Sequence, residues 1–349
     1  MICCIILFLK RSQEKPAPLS RLQTEQLKGM AILMVILGHL WVHVSKKGIA
    51  LNFAGDAVAM FLLLSGYGLH LSSNKKIYNA KTYFAKRTER VMIPYWGTTI
   101  TFLFLDYIIL NKKYALTDLL MTFAGINVNT TTKHIDYVRW YITFILLWYC
   151  LYYFSTKILK ENQQIIFLYI CAGVLFVVSY YKMRFGWYQF FAFPSGCLIA
   201  LKYKKVKNKF DKKEFKYLAA IISLFLLSIA IASKIMMNSL NTYTFLDEHV
   251  PSIILTFFKE INSIAVSVGL IILVMLLARL QFYSRFLAFC GSISYEMFLI
   301  HGAFLIKYDP IIENRAVVLS FLMFLIFIIV ISYSYQKIIN QAKCIIKVK

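Results

Sequence analysis

The chain is short of charge, and the charge it carries is one-sided. Only 16% of its 349 residues are Asp, Glu, Lys or Arg, against about 25% in a soluble protein. Acidic residues are the scarcer kind: 16 Asp and Glu stand against 39 Lys and Arg, for a net charge of +23. The seven cysteines form no CxxC pair and no Cys/His spacing of a metal site, so neither a disulfide framework nor a bound metal is expected. Cys3 and Cys4 are adjacent and read as inert. There is no internal repeat and no low-complexity linker, which argues against a second soluble domain. The opening MICCIILFL is apolar but too short to span a bilayer, and it lacks a charged n-region and a clear cleavage site. It is read as part of an N-terminal tail, residues 1–25.

Apolar residues are in excess, at 60% against roughly 45–50% in soluble chains. They fall in long runs, whereas barrel strands alternate apolar and polar positions. The expected fold is all-α: a polytopic integral membrane helix bundle of about ten transmembrane helices, each of ~20 residues. The windows are 27–44, 50–71, 91–110, 137–158, 164–181, 186–201, 215–235, 252–279, 286–306 and 315–335. The window 252–279 is interrupted by Lys259, Glu260 and Asn262, which suggests tilt or a start in the interface. With the N-terminus inside, 27 of the 39 Lys and Arg lie in inner segments, so both termini are expected to be cytoplasmic. KYKKVKNKFDKK at 202–213 is the strongest inner signal; Lys46 and Lys47 are the exception. The membrane domain is taken as 26–336, followed by a basic tail at 337–349. The largest outer loop, 111–136, contains YALTDLLMTFAG, an amphipathic helix candidate.

In a soluble protein this charge would suggest nucleic acid. Here the bland explanation is stronger: basic loops fix topology and meet the anionic surface of the lipid bilayer. A basic inner face also suits an anionic cofactor such as a nucleotide or coenzyme A.

Several polar residues interrupt the apolar runs. In QLKGMAILMVILGHLWVHV, residues 26–44, Lys28 and His39 are eleven positions apart. On a helix that is three turns plus ~20°, so they share a face and lie ~16 Å apart along the axis. Lys28 reads as a snorkelling anchor or a functional cation. His39 reads as an interhelical hydrogen-bonding group or a working imidazole. Asp56 is expected at a depth similar to that of His39, either orienting the imidazole or reaching interfacial water. Ser65–Gly66–Tyr67–Gly68 is a small-residue stretch suited to helix packing. Arg87 and Arg90, at i and i+3, share a helix face, and their guanidiniums suit phosphate as well as topology. Asp136 to Tyr141 opens the next helix at the outer surface, either as an aromatic belt or as one wall of a sugar site. Glu296 is expected near the midplane and His301 closer to the outside, with Ser294 and His301 on one face.

In this order, the stretches resemble the acyltransferase-3 family of membrane acyltransferases. Lys28 and His39 match the family's basic residue, ten-residue spacer and histidine. FLLLSGYGL at 61–69 matches its Ser-Gly-Tyr/Phe helix end, and RTERVMIPYW at 87–96 its Arg-x-x-Arg loop. WYI at 140–142 and ISYEMFLIH at 293–301 match two later motifs. Ala59 stands where many members carry an acid six residues before the Ser, and Asp56 lies one turn earlier. Glu296 replaces a position that is usually small and polar. An appended esterase-like domain, which some relatives carry, is not expected.

The resemblance implies transfer of an acyl group, usually acetyl from acetyl-CoA, to a hydroxyl of a sugar or surface polysaccharide at the inner (cytoplasmic) membrane. Lys28, Arg87 and Arg90 would hold the phosphates of the acyl-CoA. His39 would be the catalytic histidine, as general base or transient acyl carrier, with Asp56 and Glu296 as the associated acids. Arg139, Trp140, Tyr141, Tyr295 and His301 would contact the sugar acceptor. A transporter or flippase of a lipid-linked sugar is the second reading, with the same polar residues lining a path. The basic-x10-His spacing joined to Arg-x-x-Arg favours the enzyme, because transport explains neither.

Overall fold

The computed structural model describes residues 9–11, 19–45, 53–73, 79–127, 135–183, 189–239, 252–308 and 317–348. In chain order the helices are α1 (Arg21–Ser45), α2 (Ala54–Ser73), α3 (Ala80–Arg87), α4 (Ile93–Leu110), α5 (Leu116–Phe123), α6 (Trp140–Ile158) and α7 (Glu161–Val178). They continue with α8 (Ala192–Leu201), α9 (Tyr203–Asp211), α10 (Lys213–Ser239), α11 (Ser252–Arg279), α12 (Arg285–Ser292), α13 (Ser294–Ala303) and α14 (Val317–Val348). A short antiparallel ribbon pairs β1 (Leu9–Arg11) with β2 (Phe282–Ser284), Leu9 opposite Ser284. Part of the expected N-terminal tail is therefore built into the fold.

Among the described residues seven helices are long and apolar enough to cross a membrane, or eight if α12 and α13 count as one broken span. All ten apolar windows fall on helices, but not all as full spans. Window 186–201 yields only the ten-residue α8. Window 137–158 yields the 19-residue α6, which is not among those seven. Window 286–306, expected as one span, breaks at Ile293 between α12 and α13. A helix is present within the expected amphipathic stretch of the outer loop: α5, with Leu116, Leu120 and Met121 exposed. Residues 128–134 of that loop lie outside the described residues.

The chain divides into two compact units. The first comprises Met1–Lys76 and Ile158–Ser292, the second Ile77–Lys157 and Ile293–Lys349. In the first unit α1 is buried on every side through Met30–Ile36, as expected of a helix packed against protein and not lipid. Its partner helices approach backbone to backbone. A Cβ on Gly29 would lie 1.9 Å from the Leu287 carbonyl oxygen of α12, and one on Gly291 1.8 Å from that of Glu25. The α2–α8 crossing repeats the device: a Cβ on Gly66 would meet the Phe193 oxygen at 2.2 Å, and one on Gly196 the Leu63 oxygen at 1.9 Å. Gly66 of the Ser-Gly-Tyr stretch is thus a packing residue. The start of α12 is pinned to α1 by Ser284 N, which donates to Gln26 Oε1 at 2.7 Å. At the α10–α11 crossing, the Ser223 hydroxyl donates to the Gly269 carbonyl at 2.8 Å. Leu224 and Phe225 of α10 are more than half exposed, the pattern of a lipid-facing surface.

In the second unit α3 passes through a π-turn, Thr88–Met92, directly into α4. The run Ala80–Leu110 is one 31-residue apolar helix. Pro94 lies in its first α-helical turn after the π-turn. Proline has no N–H, so a carbonyl of the preceding turn goes without its usual helical donor. A second π-turn, Phe304–Tyr308, ends α13.

Candidate functional site

In the first unit, α1 runs without a break from Arg21 to Ser45. The same-face spacing of Lys28 and His39 therefore holds in the folded chain, and both side chains are half-buried. α2 begins at Ala54, inside the expected window of 50–71, so Asp56 lies in its first turn. Its carboxylate is engaged elsewhere. Lys234 Nζ of α10 is 2.6 Å from Oδ2, and the Ser263 hydroxyl of α11 donates to Oδ1 at 2.9 Å. The Lys234 ammonium also lies 4.9 Å from the centre of the Phe53 ring.

In the second unit, the π-turn separates Arg87 from Arg90. An i→i+5 turn adds a residue to the α-helical repeat, so the shared face expected from the i, i+3 spacing does not carry across it. Arg87 is half-buried between two rings, 5.5 Å from the centre of Tyr83 and 5.1 Å from that of Tyr149. The Tyr83 hydroxyl donates to the Tyr149 carbonyl at 2.9 Å, which holds that pair of rings. The Arg87 Nε is buried with no hydrogen-bond partner among the described residues. Arg90 is exposed. Two tyrosines hold the turn from α13 and α14. Tyr295 donates to the Val91 carbonyl and Tyr335 to the Pro94 carbonyl, each at 2.8 Å. Glu296, beside Tyr295, accepts from Gln336 Nε2 at 3.3 Å.

The start of α6 departs most from expectation. Arg139 is fully buried, not an exposed wall of a sugar site. Its Nε donates to Asp136 Oδ2 at 2.8 Å and its Nη1 to Thr99 Oγ1 at 2.7 Å. The guanidinium lies 5.2 Å from the centre of the Tyr95 ring and 5.8 Å from that of Phe102. Asp136 also caps this turn through Val138 N at 3.1 Å. Ion pairing to Asp136 makes burial of the charge tolerable. Trp140 is half-buried, and the Tyr141 ring packs against Phe298 of α13 at 5.1 Å. Phe298 in turn lies 5.8 Å from the His301 ring. His301 is fully buried, and its Nδ1–H is directed at the carbonyls of Met297 and Phe298, at 3.1 and 2.9 Å. The structure therefore groups Arg139, Tyr141 and His301 around the 136–141 turn, while Tyr295 reaches the π-turn instead.

Sequence reasoning passed over Asp106. This fully buried carboxylate of α4 accepts from Lys307 at 2.6 Å, from Tyr308 at 2.5 Å and from Tyr114. Burial, and then the hydrogen bond to Asp106, push the Tyr114 phenol above its ordinary range. The available signal was a lone acid in the apolar run TFLFLDYIIL, which is costly in a membrane unless paired. Among the described residues no group of three or more His, Cys, Asp or Glu is placed to hold a metal ion.

A family model described as an acyltransferase domain, that of the acyltransferase-3 family, matches residues 23–336. No curated protein and no solved structure matches the chain.

Proposed function

Because the chain belongs to the acyltransferase-3 family and is therefore a membrane acyltransferase, we propose that it moves an acetyl group from cytoplasmic acetyl-CoA to a sugar hydroxyl. The sugar belongs to a surface or lipid-linked polysaccharide, and the enzyme resides in the inner membrane with both termini cytoplasmic. The observation that carries this reading is α1. It is an unbroken helix, buried around Met30–Ile36, that presents Lys28 and His39 on one face.

In this reading His39 is the general base. It takes the proton of the acceptor hydroxyl as that oxygen attacks the thioester carbonyl. The tetrahedral intermediate collapses, the C–S bond breaks, and the coenzyme thiolate leaves and takes up a proton. A positioned base contributes roughly 10²–10⁴-fold to such a step. Lys28, Arg87 and Arg90 bind the donor phosphates. Support for Arg87 is its ring-held guanidinium with Nε still uncommitted. Asp56 and Glu296 already have partners in Lys234, Ser263 and Gln336. They act as positioning groups and not as proton carriers. Trp140 and Tyr141 meet the acceptor, and buried Arg139 holds the turn that presents them.

The test is mass analysis of surface glycans from cells with and without the protein. Loss of a mass increment of one acetyl group per modified sugar supports the proposal. Identical glycan masses contradict it.

A further inference from the structure

In the second unit, α3 and the close of α6 each present rings followed by a cation. On α3 these are Tyr83 and Arg87, at i and i+4, with Phe84 beside them. On α6 they are Tyr149, Tyr153 and Lys157, each four residues from the last. Side chains at that spacing share a helix face. The two sets meet. Centre to centre, the Tyr153 ring lies 5.0 Å from Tyr83 and 5.1 Å from Phe84, and Tyr83 lies 5.2 Å from Phe84. Lys157 Nζ is 5.4 Å from the centre of the Tyr153 ring. At the deeper end Arg87 lies between Tyr83 and Tyr149, with its buried Nε unbonded among the described residues. Tyr83 is buried, but Phe84 and Tyr153 are half-exposed and Lys157 is exposed, so the rings form a platform open at the surface.

A belt of interfacial aromatics explains rings at this level. It does not explain a buried guanidinium N–H without an acceptor, which calls for a partner. The group that completes Arg87 is an anion. Half-exposed rings beside it suit a planar base, which stacks on an aromatic side chain whatever its identity. Tyr149 and Lys157 are eight residues apart, or ~12 Å along α6. An anion at Arg87, a base across the rings and a second anion at Lys157 therefore follow one line from the helix interior to the surface. Lys157 stands on a flexible stem, so a base can take its place over Tyr153. We propose that these residues bind the adenosine end of the acyl-CoA donor, with adenine stacked on Phe84 and Tyr153, the diphosphate at Arg87 and the ribose phosphate at Lys157. The inference rests on the acetyl-CoA reading above, and adds a subsite for the base to the phosphate contacts given there.

The test uses the full-length purified enzyme with two donors: acetyl-CoA, and acetyl-phosphopantetheine, which keeps the arm and lacks the adenosine. The variants are Tyr153→Phe and the double variant Phe84→Leu with Tyr153→Leu. The wild type is expected to have a lower KM for acetyl-CoA than for acetyl-phosphopantetheine. The double variant should raise the acetyl-CoA KM by at least about fivefold, the low end of what stacking a base supplies, and leave the acetyl-phosphopantetheine KM unmoved. Tyr153→Phe should keep the wild-type preference. A wild type without that preference, or a double variant that leaves both KM values unmoved or raises both alike, overturns the inference and leaves the acyltransferase reading standing. Absence of transfer from either thioester counts against the acetyl-CoA reading. The site is then decided by thermal melts with adenosine bisphosphate, the donor stripped of its phosphopantetheine arm. A rise in melting temperature lost in the double variant supports the site; no rise, or a rise retained, overturns it. An equal rise with inorganic pyrophosphate also overturns it, since the rings would then read no base.

Discussion

Both units tie helices with buried polar groups, but among the described residues only the first adds glycine crossings in which backbone meets backbone. In the first, helices meet backbone to backbone at Gly29, Gly291, Gly66 and Gly196. In the second, they are tied by buried polar groups: Arg139 with Asp136 and Thr99, and Asp106 with Lys307, Tyr308 and Tyr114. Both answer one problem. Lipid is as apolar as the side chains, so hydrophobic burial alone does not drive helices together. The difference lies in what each solution tolerates. A glycine crossing depends on the absence of atoms, and no partner substitution can compensate for adding one. A polar tie depends on complementary atoms, and both partners can be exchanged together.

That contrast can be broken experimentally, and the largest effect is expected at Arg139. Arg139→Met leaves Asp136 buried and unpaired, at a cost of about 3–5 kcal/mol. The double variant Arg139→Met with Asp136→Asn should recover most of that loss in a thermal melt. If the double variant melts no higher than the single one, the ion pair is not what holds the turn. Next come the glycines. Gly66→Ala or Gly196→Ala should each cost about 1–3 kcal/mol by overpacking. Combining them should deepen the loss, because the two Cβ atoms meet different carbonyls, those of Phe193 and Leu63. Mutual rescue in the double variant would remove the distinction between the units. The smallest effect is at the π-turn. Tyr335→Phe removes one hydrogen bond to the Pro94 carbonyl, worth about 0.5–1.5 kcal/mol. It should raise donor KM a few-fold through displaced Arg90, with kcat nearly unchanged. A fall in kcat at constant KM would instead tie Tyr335 to the chemical step.

The same contrast explains what was legible in the sequence. Gly66 reads directly as a packing residue, because small residues in an apolar helix have few other uses. The helix carrying Lys28 and His39 is equally plain, since its apolar run is long and free of proline. Arg139 was misread because Trp and Tyr beside it suggest an interface, although Asp136 at i−3 was in view as its partner. The π-turn at Thr88–Met92 leaves no periodic trace, because one added residue in the polar stretch TERVM shifts no apolar stripe. Lys234 lies 178 positions from Asp56, and only the folded chain shows that the two meet. The ten-residue α8 and the break at Ile293 were hidden because apolar length does not reveal where a helix stops inside a protein.

The most direct test of the central claim is acetyl transfer by His39→Ala in reconstituted membranes, with acetyl-CoA as donor. The account predicts transfer lowered by roughly 10²–10⁴-fold, with expression, melting temperature and donor binding retained. Transfer at the wild-type rate in that variant would contradict it, and His39 would then have no part in the chemistry.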